Sequence, residues 1–451
     1  MIICIQGLGY VGAAMCVAVA NANKKYKVFG VDLPTQRGEK IIKDINKGIF
    51  PFKSSDRDLK NKISKVAKNG TLQATSSTKV FKKANVVIVS INCDVKKTKS
   101  GSIINLKDFE KSISQFATKI KENTLVIIES TVPPGTCKKI VEPTIRNIFL
   151  KRKLNVNNIY LAHSYERVTP GKNYLSSIIN NWRVYSGINN KSAEKCKKFL
   201  SSFINTKKYP LTKLANTNSS ELSKLMENSF RAVNIAFIEE WRSLAEKIDI
   251  DLFEVINAIK KRPTHNNLKD PGFGVGGYCL TKDPLMAKIG AKQLWGINEN
   301  FEFSKKSVKI NNLMPISTVN KIKIYFKNNL KRKKILLLGV TYKEDIEDTR
   351  NSPSELFYKK MNKYGCEIEV HDPLVNYWSE VNTKVHQNLP DLKKFDVVVF
   401  AVKHNVYRKI NFNKWKPKKS HFLFFDANNV LSNKQLNIIK KRFKIISLGR
   451  G

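Results

Sequence analysis

The run Gly7-Leu8-Gly9-Tyr10-Val11-Gly12 follows an apolar stretch, Ile2–Gln6, and opens a helical one, and Asp32 stands twenty residues beyond Gly12 at the end of the next apolar run. This spacing commits the N-terminal part of the chain to a strand, tight turn, helix and second strand. The glycines turn the backbone and let a pyrophosphate come close, while the helix N-terminus offers N–H donors and its dipole. Asp32 is then placed to accept from ribose hydroxyls and to repel a 2′-phosphate, which favours NAD over NADP. Arg37 is a nearby cation that opposes this preference. Residues 1–23 carry no charged side chain, yet they read as neither a signal peptide nor a membrane anchor. No basic residue precedes the apolar run, and the glycines fall where a phosphate-binding turn needs them. No other run reaches membrane-spanning length.

Further apolar runs at Tyr26–Asp32, Val86–Ile91, Leu125–Glu129 and Ile159–Ala162 alternate with helical patterns. Short continuous Val/Ile/Leu runs suit a parallel sheet covered on both faces. From Ser219 to Ile248 the pattern becomes one long amphipathic helix, with Leu222, Leu225, Met226, Val233, Phe237, Trp241 and Leu244 at helical spacing. Helical signal continues from Pro284 to Asn328. After a basic link at 330–334, Ile335–Val340, Glu367–His371, Asp396–Val402 and Phe422–Asp426 again read as buried parallel strands. The expected fold is α/β, with two Rossmann-like doubly wound parallel-sheet domains, residues 1–200 and 329–451, joined by a central all-helical segment, 201–328, that contains the long helix. A chain of 451 residues is long enough for each part to bury its own core.

The seven cysteines are scattered and include no Cys-x-x-Cys pair, which reads as reduced thiols in a cytoplasmic protein with neither a disulfide framework nor a metal site. A net charge of +44 ordinarily points to nucleic acid or an anionic surface. Here the lysines are spread along the whole chain among many Asn and Ile, without an arginine-rich arm or a basic tail. Compositional bias is the favoured reading and a non-enzymatic, polyanion-binding protein the alternative.

Four local patterns carry chemistry. Glu129-Ser130-Thr131-Val132-Pro133-Pro134-Gly135-Thr136 follows a strand, so Thr131 either meets a ligand at the carboxyl end of the sheet or caps a helix. Glu166-Arg167 after the next strand sets an acid beside a base, which alone reads as a surface ion pair. Lys224, Asn228 and Arg231 share one face of the long helix, as a solvated polar face or as a grip on a polyoxygenated anion. Cys279 lies in Asp270-Pro271-Gly272-Phe273-Gly274-Val275-Gly276-Gly277-Tyr278-Cys279-Leu280-Thr281-Lys282-Asp283, where the glycines allow close backbone approach and Lys282 and Asp283 flank the thiol. A buried small hydrophobe is the other fate open to it.

Taken together with Gly339-Val340-Thr341-Tyr342-Lys343-Glu344-Asp345 and Asp348-Thr349-Arg350-Asn351-Ser352-Pro353, these patterns resemble the UDP-glucose/GDP-mannose dehydrogenase family in order along nearly the whole chain. The resemblance implies an NAD-dependent, four-electron oxidation of a UDP-sugar from C6 alcohol to carboxylate, supplying precursors for surface polysaccharide. It implies Cys279 as the nucleophile, Lys224 and Asn228 as groups that assist the first deprotonation, and Glu166, Thr131 or Asp283 as the partner of the hydrolytic water. Gly7, Gly9, Tyr10, Val11, Gly12, Asp32, Arg37, Ser90, Thr131 and Arg350 are the implied cofactor contacts. Glu166, Arg167, Lys224, Asn228, Arg231, Phe273, Gly274, Gly276 and Lys343 are the implied substrate contacts. The central helix is expected to join two subunits, with neither nucleic acid nor membrane as partner. Glu166-Arg167-Val168-Thr169-Pro170-Gly171 is similar to the Pro-Glu-Arg-x-x-Pro-Gly segment of enzymes for UDP-N-acetylglucosamine and UDP-N-acetylmannosamine, with Arg167 and Arg231 marking that class. UDP-glucose is the alternative substrate, and an ordinary two-electron hydroxyacid dehydrogenase the alternative reaction. Two places depart from the family pattern. Tyr165 stands where Pro is usual, and Ser90-Ile91-Asn92-Cys93-Asp94 stands where a Pro-Thr-Pro loop is usual.

Overall fold

The computed structural model describes residues 1–98, 101–414 and 422–451. The chain divides into two compact units, Met1–Glu227 with Leu285–Phe301, and Asn228–Pro284 with Glu302–Gly451. In the first unit the sheet strands are β1 (Ile2–Gln6), β2 (Lys27–Val31), β3 (Leu72–Thr75), β4 (Val86–Val89), β5 (Leu125–Ile128), β6 (Tyr160–His163), β7 (Val184–Gly187) and β8 (Thr212–Lys213), lying in the order β8-β7-β6-β5-β4-β1-β2-β3. Side chains alternate across a strand, so Ile3, Ile5, Ile88 and Ile127 feed one core layer and Cys4, Val87, Val89 and Val126 the other. Both faces are covered, which is why the strands read as unbroken apolar runs. Helix α1 (Tyr10–Ala22) is apolar around its circumference because every residue from Gly12 to Ala20 is buried. Among the described residues no helix is long and apolar enough to cross a membrane.

One pairing departs from an all-parallel sheet: β6 and β7 run antiparallel. Between them the helix Tyr174–Ile179 packs Tyr174, Leu175 and Ile178 into the layer that holds α1. The chain therefore docks there instead of completing a crossover, and re-enters the sheet running back.

The second unit holds β9 (Lys334–Leu338), β10 (Glu367–His371), β11 (Val397–Phe400), β12 (Leu423–Asp426) and β13 (Lys444–Ser447), all parallel, in the order β10-β9-β11-β12-β13. Ile335, Leu337, Val399 and Phe425 face one layer, and Leu336, Leu338, Val398 and Phe424 the other. In both sheets the strand order reverses beside the first strand of the unit, at β1/β4 and at β9/β11. Such switch points open the crevices where α/β sheets bind ligands.

The central region carries α2 (Thr217–Lys247), α3 (Asp283–Trp295) and α4 (Glu302–Tyr325). The helical signal from Pro284 to Asn328 is thus two helices. They part at Gly296, which takes a positive φ while Gly296 N and Ile297 N bond back to Lys292 and Ala291, a glycine-terminated helix end. Residues 266–282, around the glycine-rich run, hold neither helix nor strand. The long helix has apolar residues on two faces, and Leu225, Ala232, Ile235, Ala236, Ile238 and Ala245 are buried. Glu221, Lys224, Asn228 and Arg242 are buried with them, whereas Leu222, Met226, Phe230, Phe237, Trp241 and Leu244 are each at least 45% exposed, as is Ile248 just past the helix end. Leu225 alone of the expected stripe is fully buried, and Val233 is half-buried. Arg231 is exposed, whereas Lys224 and Asn228, on the same face of this unbroken helix, are buried.

Candidate active site

The turn between β1 and α1 shows what each glycine does. Gly7 has φ +92°, and a Cβ there would meet the Ser90 carbonyl oxygen at 2.8 Å; a Cβ on Gly12 would meet the Gly7 carbonyl oxygen at 1.8 Å. Gly9 faces open space, with nothing within 4 Å of a Cβ. The outer glycines are therefore needed for the turn and the helix packing, and the middle one leaves room for a ligand. Helix α1 begins at Gly9 with no side-chain cap and no acid in its first turn, so its N–H groups and dipole are left for an anion. Asp32 accepts from Leu8 N at 2.8 Å and from Leu33 N at 2.7 Å, which fixes its carboxylate beside the turn. Tyr10 stacks on Phe52 at 4.2 Å, Val11 is half-buried, and Arg37 is exposed. These residues fit a dinucleotide: an open glycine, an uncapped helix start and a fixed carboxylate.

Around the ends of β5 and β6 the same unit holds a chain of buried charges. Glu129 pairs with Arg183 at 2.8 Å, both nearly inaccessible, and accepts from Ser90 Oγ at 2.5 Å. Burial pushes the Glu129 carboxyl up, while Arg183 and Ser90 hold it back. Thr131 is half-buried at the start of the Val132-Pro133-Pro134-Gly135 turn. Glu221 of α2 fastens that turn by accepting from Gly135 N at 2.7 Å and Cys137 N at 2.8 Å. Its burial raises its carboxyl to about 7 despite these bonds. Lys224 Nζ donates to the Glu166 carbonyl at 2.8 Å, and the Glu166 carboxylate turns back to the Val168 N–H of its own loop. Arg167 is held by Glu227 through Nε and Nη2, at 3.0 and 2.9 Å, and donates through Nη1 to the Trp182 carbonyl at 2.6 Å. Burial alone would push the Glu227 carboxyl up, but the guanidinium holds it below the usual range.

In the second unit Cys279 is exposed, whereas the other six cysteines are buried. Its carbonyl accepts from Asp283 N at 2.9 Å and Lys282 N at 3.2 Å, making the first turn of α3. The buried Asp283 carboxylate accepts from Asn228 Nδ2 at 2.7 Å on one oxygen and from Lys282 Nζ at 2.9 Å on the other. Lys282 and Asp283 thus bond each other through their side chains. Gly276 passes so close to Tyr342 and Asn351, and Gly277 to Tyr342, that a Cβ on either glycine would sit under 3.0 Å from them, and Gly277 N donates to the Arg350 carbonyl at 3.0 Å. Asn311 pins the run from its other side, accepting from Val275 N at 2.8 Å and donating to Val275 O at 2.7 Å. Phe273, Gly274, Thr341, Lys343, Val402 and Asn428 line one cavity at the β9/β11 switch point. Burial lowers the Lys343 ammonium pKa, and the nearby Arg231 adds to this. The Arg350 guanidinium is held by Asp348, at 2.9 Å from Nε and 2.6 Å from Nη2.

Three segments match models of one family: residues 1–204 the NAD binding domain, 218–313 the central domain and 336–433 the UDP binding domain of the UDP-glucose/GDP-mannose dehydrogenases. This chain belongs to the UDP-glucose/GDP-mannose dehydrogenase family. A UDP-N-acetyl-D-mannosamine dehydrogenase from Methanocaldococcus jannaschii is 32% identical, with 100% of this chain and 96% of the relative covered. The solved UDP-N-acetylmannosamine dehydrogenase of Pyrococcus horikoshii superposes with a TM-score of 0.84 at 28% identity, covering 100% of both chains. A UDP-glucose dehydrogenase from Pyrobaculum islandicum, at 19% identity and a TM-score of 0.83 over 100% of this chain and 98% of that one, shares the fold.

As a member of this family the chain is an NAD-dependent nucleotide-sugar oxidoreductase. The structure joins several residues that the sequence singled out separately: Lys224 with Glu166, Asn228 with Asp283, Cys279 with Asp283, and Phe273 and Gly274 with Lys343. It ties others down. Arg167 and Arg350 each have a carboxylate partner, and Ser90 gives its hydroxyl to Glu129. Sequence reasoning passed over Glu129, Arg183, Glu221 and Glu227 as site-building residues. Glu221 had a signal, since it stands three residues before Lys224 on the face of α2 that is buried.

Proposed function

We propose that this chain oxidises the C6 alcohol of a UDP-N-acetylhexosamine, UDP-N-acetylmannosamine foremost, to the uronate in two successive two-electron steps. The observation that carries the four-electron reading is Cys279, the exposed cysteine on a backbone packed too tightly for side chains at Gly276 and Gly277. The substrate reading is supported by the relatives of that name that match this chain over its length. NAD, when bound, accepts a hydride in each oxidation. In the first step Lys224, with Asn228 and an ordered water, takes up the hydroxyl proton and stabilises the oxygen as the C6 hydride leaves, giving an aldehyde. The Cys279 thiolate then adds to the aldehyde carbon and the oxygen is protonated, forming a thiohemiacetal. Loss of a second hydride and the hydroxyl proton leaves a thioester, and water cleaves the C–S bond to release the carboxylate and regenerate the thiol. Thr131, Glu166 and Asp283 are the groups assigned to that water. The fixed Asp32 carboxylate favours NAD over NADP, and the cavity that contains Lys343 receives the nucleotide diphosphate. The exposed apolar stripe of α2 supports a homodimer. Measuring NADH formed per UDP-sugar consumed tests the reading directly. Two per substrate is expected, and one would return the chain to the two-electron class.

A further inference from the structure

The proposed reaction gives no part to Tyr165, a buried phenol beside Lys224. Tyr165 is 2% exposed, and its hydroxyl meets Ser223 Oγ at 3.1 Å, Arg167 Nη2 at 3.2 Å and Glu227 Oε2 at 3.3 Å. Its ring faces the ammonium of Lys224, 5.1 Å from Nζ to the ring centroid. The same ammonium donates at 2.8 Å to the carbonyl of Glu166, the residue that follows Tyr165. One side chain therefore touches the lysine head and the residues that bracket it on α2, Ser223 and Glu227. A proline, usual at this place in the segment that the loop resembles, supplies neither ring nor hydroxyl.

We propose that Tyr165 is a positioning residue for Lys224: its ring holds the ammonium against the Glu166 carbonyl, and its hydroxyl locks the Arg167–Glu227 pair. This rests on the reading of Lys224 as the group that takes up the C6 hydroxyl proton. A ring face attracts a cation and so favours the protonated lysine. The other titratable groups around the two residues are Glu129, Glu166, Arg167 and Glu227, together with His163, whose ring lies 6.2 Å from that of Tyr165. Burial, aided by the Lys224 charge, pushes His163 down to about 3, so it stays neutral.

The test compares Tyr165→Phe, Tyr165→Leu and Lys224→Met in the full chain, with pH profiles of kcat and separate KM values for NAD and UDP-N-acetylmannosamine. Tyr165→Phe keeps the ring and loses the hydroxyl. It is expected to lower kcat roughly tenfold, part of the roughly hundredfold or more that a positioned acid–base group supplies, with both KM values unchanged within about twofold and the acid limb in place. Tyr165→Leu also loses the ring, which releases the lysine proton more readily, so its acid limb should move to lower pH. A purely packing role would lower the melting temperature without moving that limb. An unmoved limb in Tyr165→Leu, or an undiminished kcat in Tyr165→Phe, overturns the proposal. If the leucine variant does not fold, the kcat-against-KM split of the phenylalanine variant decides. Full turnover by Lys224→Met would instead remove the lysine's assigned role, an outcome separable from the other two.

Discussion

Cys279 and Asp32 show how differently single residues announce themselves. The glycines around each dictate backbone geometry, and backbone geometry is local: Gly7 at φ +92° and Gly277 at φ +82° are positions where a side chain is both strained and crowded. That part of the site was legible. The carboxylate contacts were not, because Arg183 meets Glu129 across 54 residues, Arg167 meets Glu227 across 60 and the Gly135 N–H meets Glu221 across 86, separations that no local pattern encodes. Serine at 279 keeps the backbone and most of the volume but is a far poorer nucleophile at neutral pH. Cys279→Ser should therefore bind NADH as the wild type does while net uronate production falls by at least about a hundredfold; uronate at the wild-type rate would rule out the covalent step. Asp32 has two duties, since it also accepts from Leu8 N. Asp32→Asn can keep that bond while losing the negative charge, so it should raise kcat/KM with NADP relative to NAD. An unchanged ratio would show that Asp32 does not set the preference.

Among the elements, α2 forms over Thr217–Lys247 where its periodicity indicates, and its apolar residues divide between two faces. Periodicity places apolar residues on a helix face but does not say which face the core covers. Here the core side carries Leu225, Ala232, Ile235, Ala236, Ile238 and Ala245 together with Glu221, Lys224 and Asn228, while six large apolar side chains lie outward. Removing such a side chain from water is worth about 1.5–3 kcal/mol, so covering the stripe would favour the proposed pairing with a second copy of the chain. Replacing Phe230 and Trp241 together by Asp should shift the protein towards monomer in light scattering, and an undisturbed dimer would place the interface elsewhere. The buried strands were legible from their apolar runs; Leu72–Thr75, Val184–Gly187, Thr212–Lys213 and Lys444–Ser447 were not, being short and mostly at sheet edges with exposed or polar residues. Glu221 links α2 to the turn after β5 and carries a pH signature. Its carboxyl is raised from its ordinary 4.5 to about 7 by burial, so between these values the folded state holds more proton than the unfolded one. Its contribution to stability should be greatest below pH 4.5 and decline as pH rises towards 7. Glu221→Gln, which cannot titrate, should flatten the fall in melting temperature over that window; an identical slope would remove the assignment.

For the whole molecule, the two sheets repeat one logic: each reverses its strand order beside its first strand, and one lies in the segment that matches the NAD binding domain, the other in the segment that matches the UDP binding domain. The charge of +44 adds a general positive field around such sites, which speeds encounter with an anionic nucleotide sugar and weakens as salt rises. It does not choose the sugar. Choice belongs to groups left unpaired by the wrong substrate, because a site built to hydrogen-bond a substituent rejects the analogue that lacks it. Arg167, together with Arg231, was expected to mark the N-acetyl class, but the Arg167 guanidinium is engaged by Glu227, Tyr165 and the Trp182 carbonyl. Its effect on selectivity is then expected to be indirect, through the loop that carries Glu166. Two measurements separate these roles. UDP-N-acetylmannosamine should exceed UDP-glucose in kcat/KM by on the order of tenfold or more. Glu227→Gln, which loosens the clamp on Arg167 without touching the arginine, should narrow that ratio. Equal or better turnover of UDP-glucose by the wild-type chain would overturn the N-acetylhexosamine assignment and leave family membership intact. A selective wild type with an equally selective Glu227→Gln variant would instead mean that the acetamido group is read elsewhere, and the cavity around Phe273, Gly274 and Lys343 would be the next place to mutate.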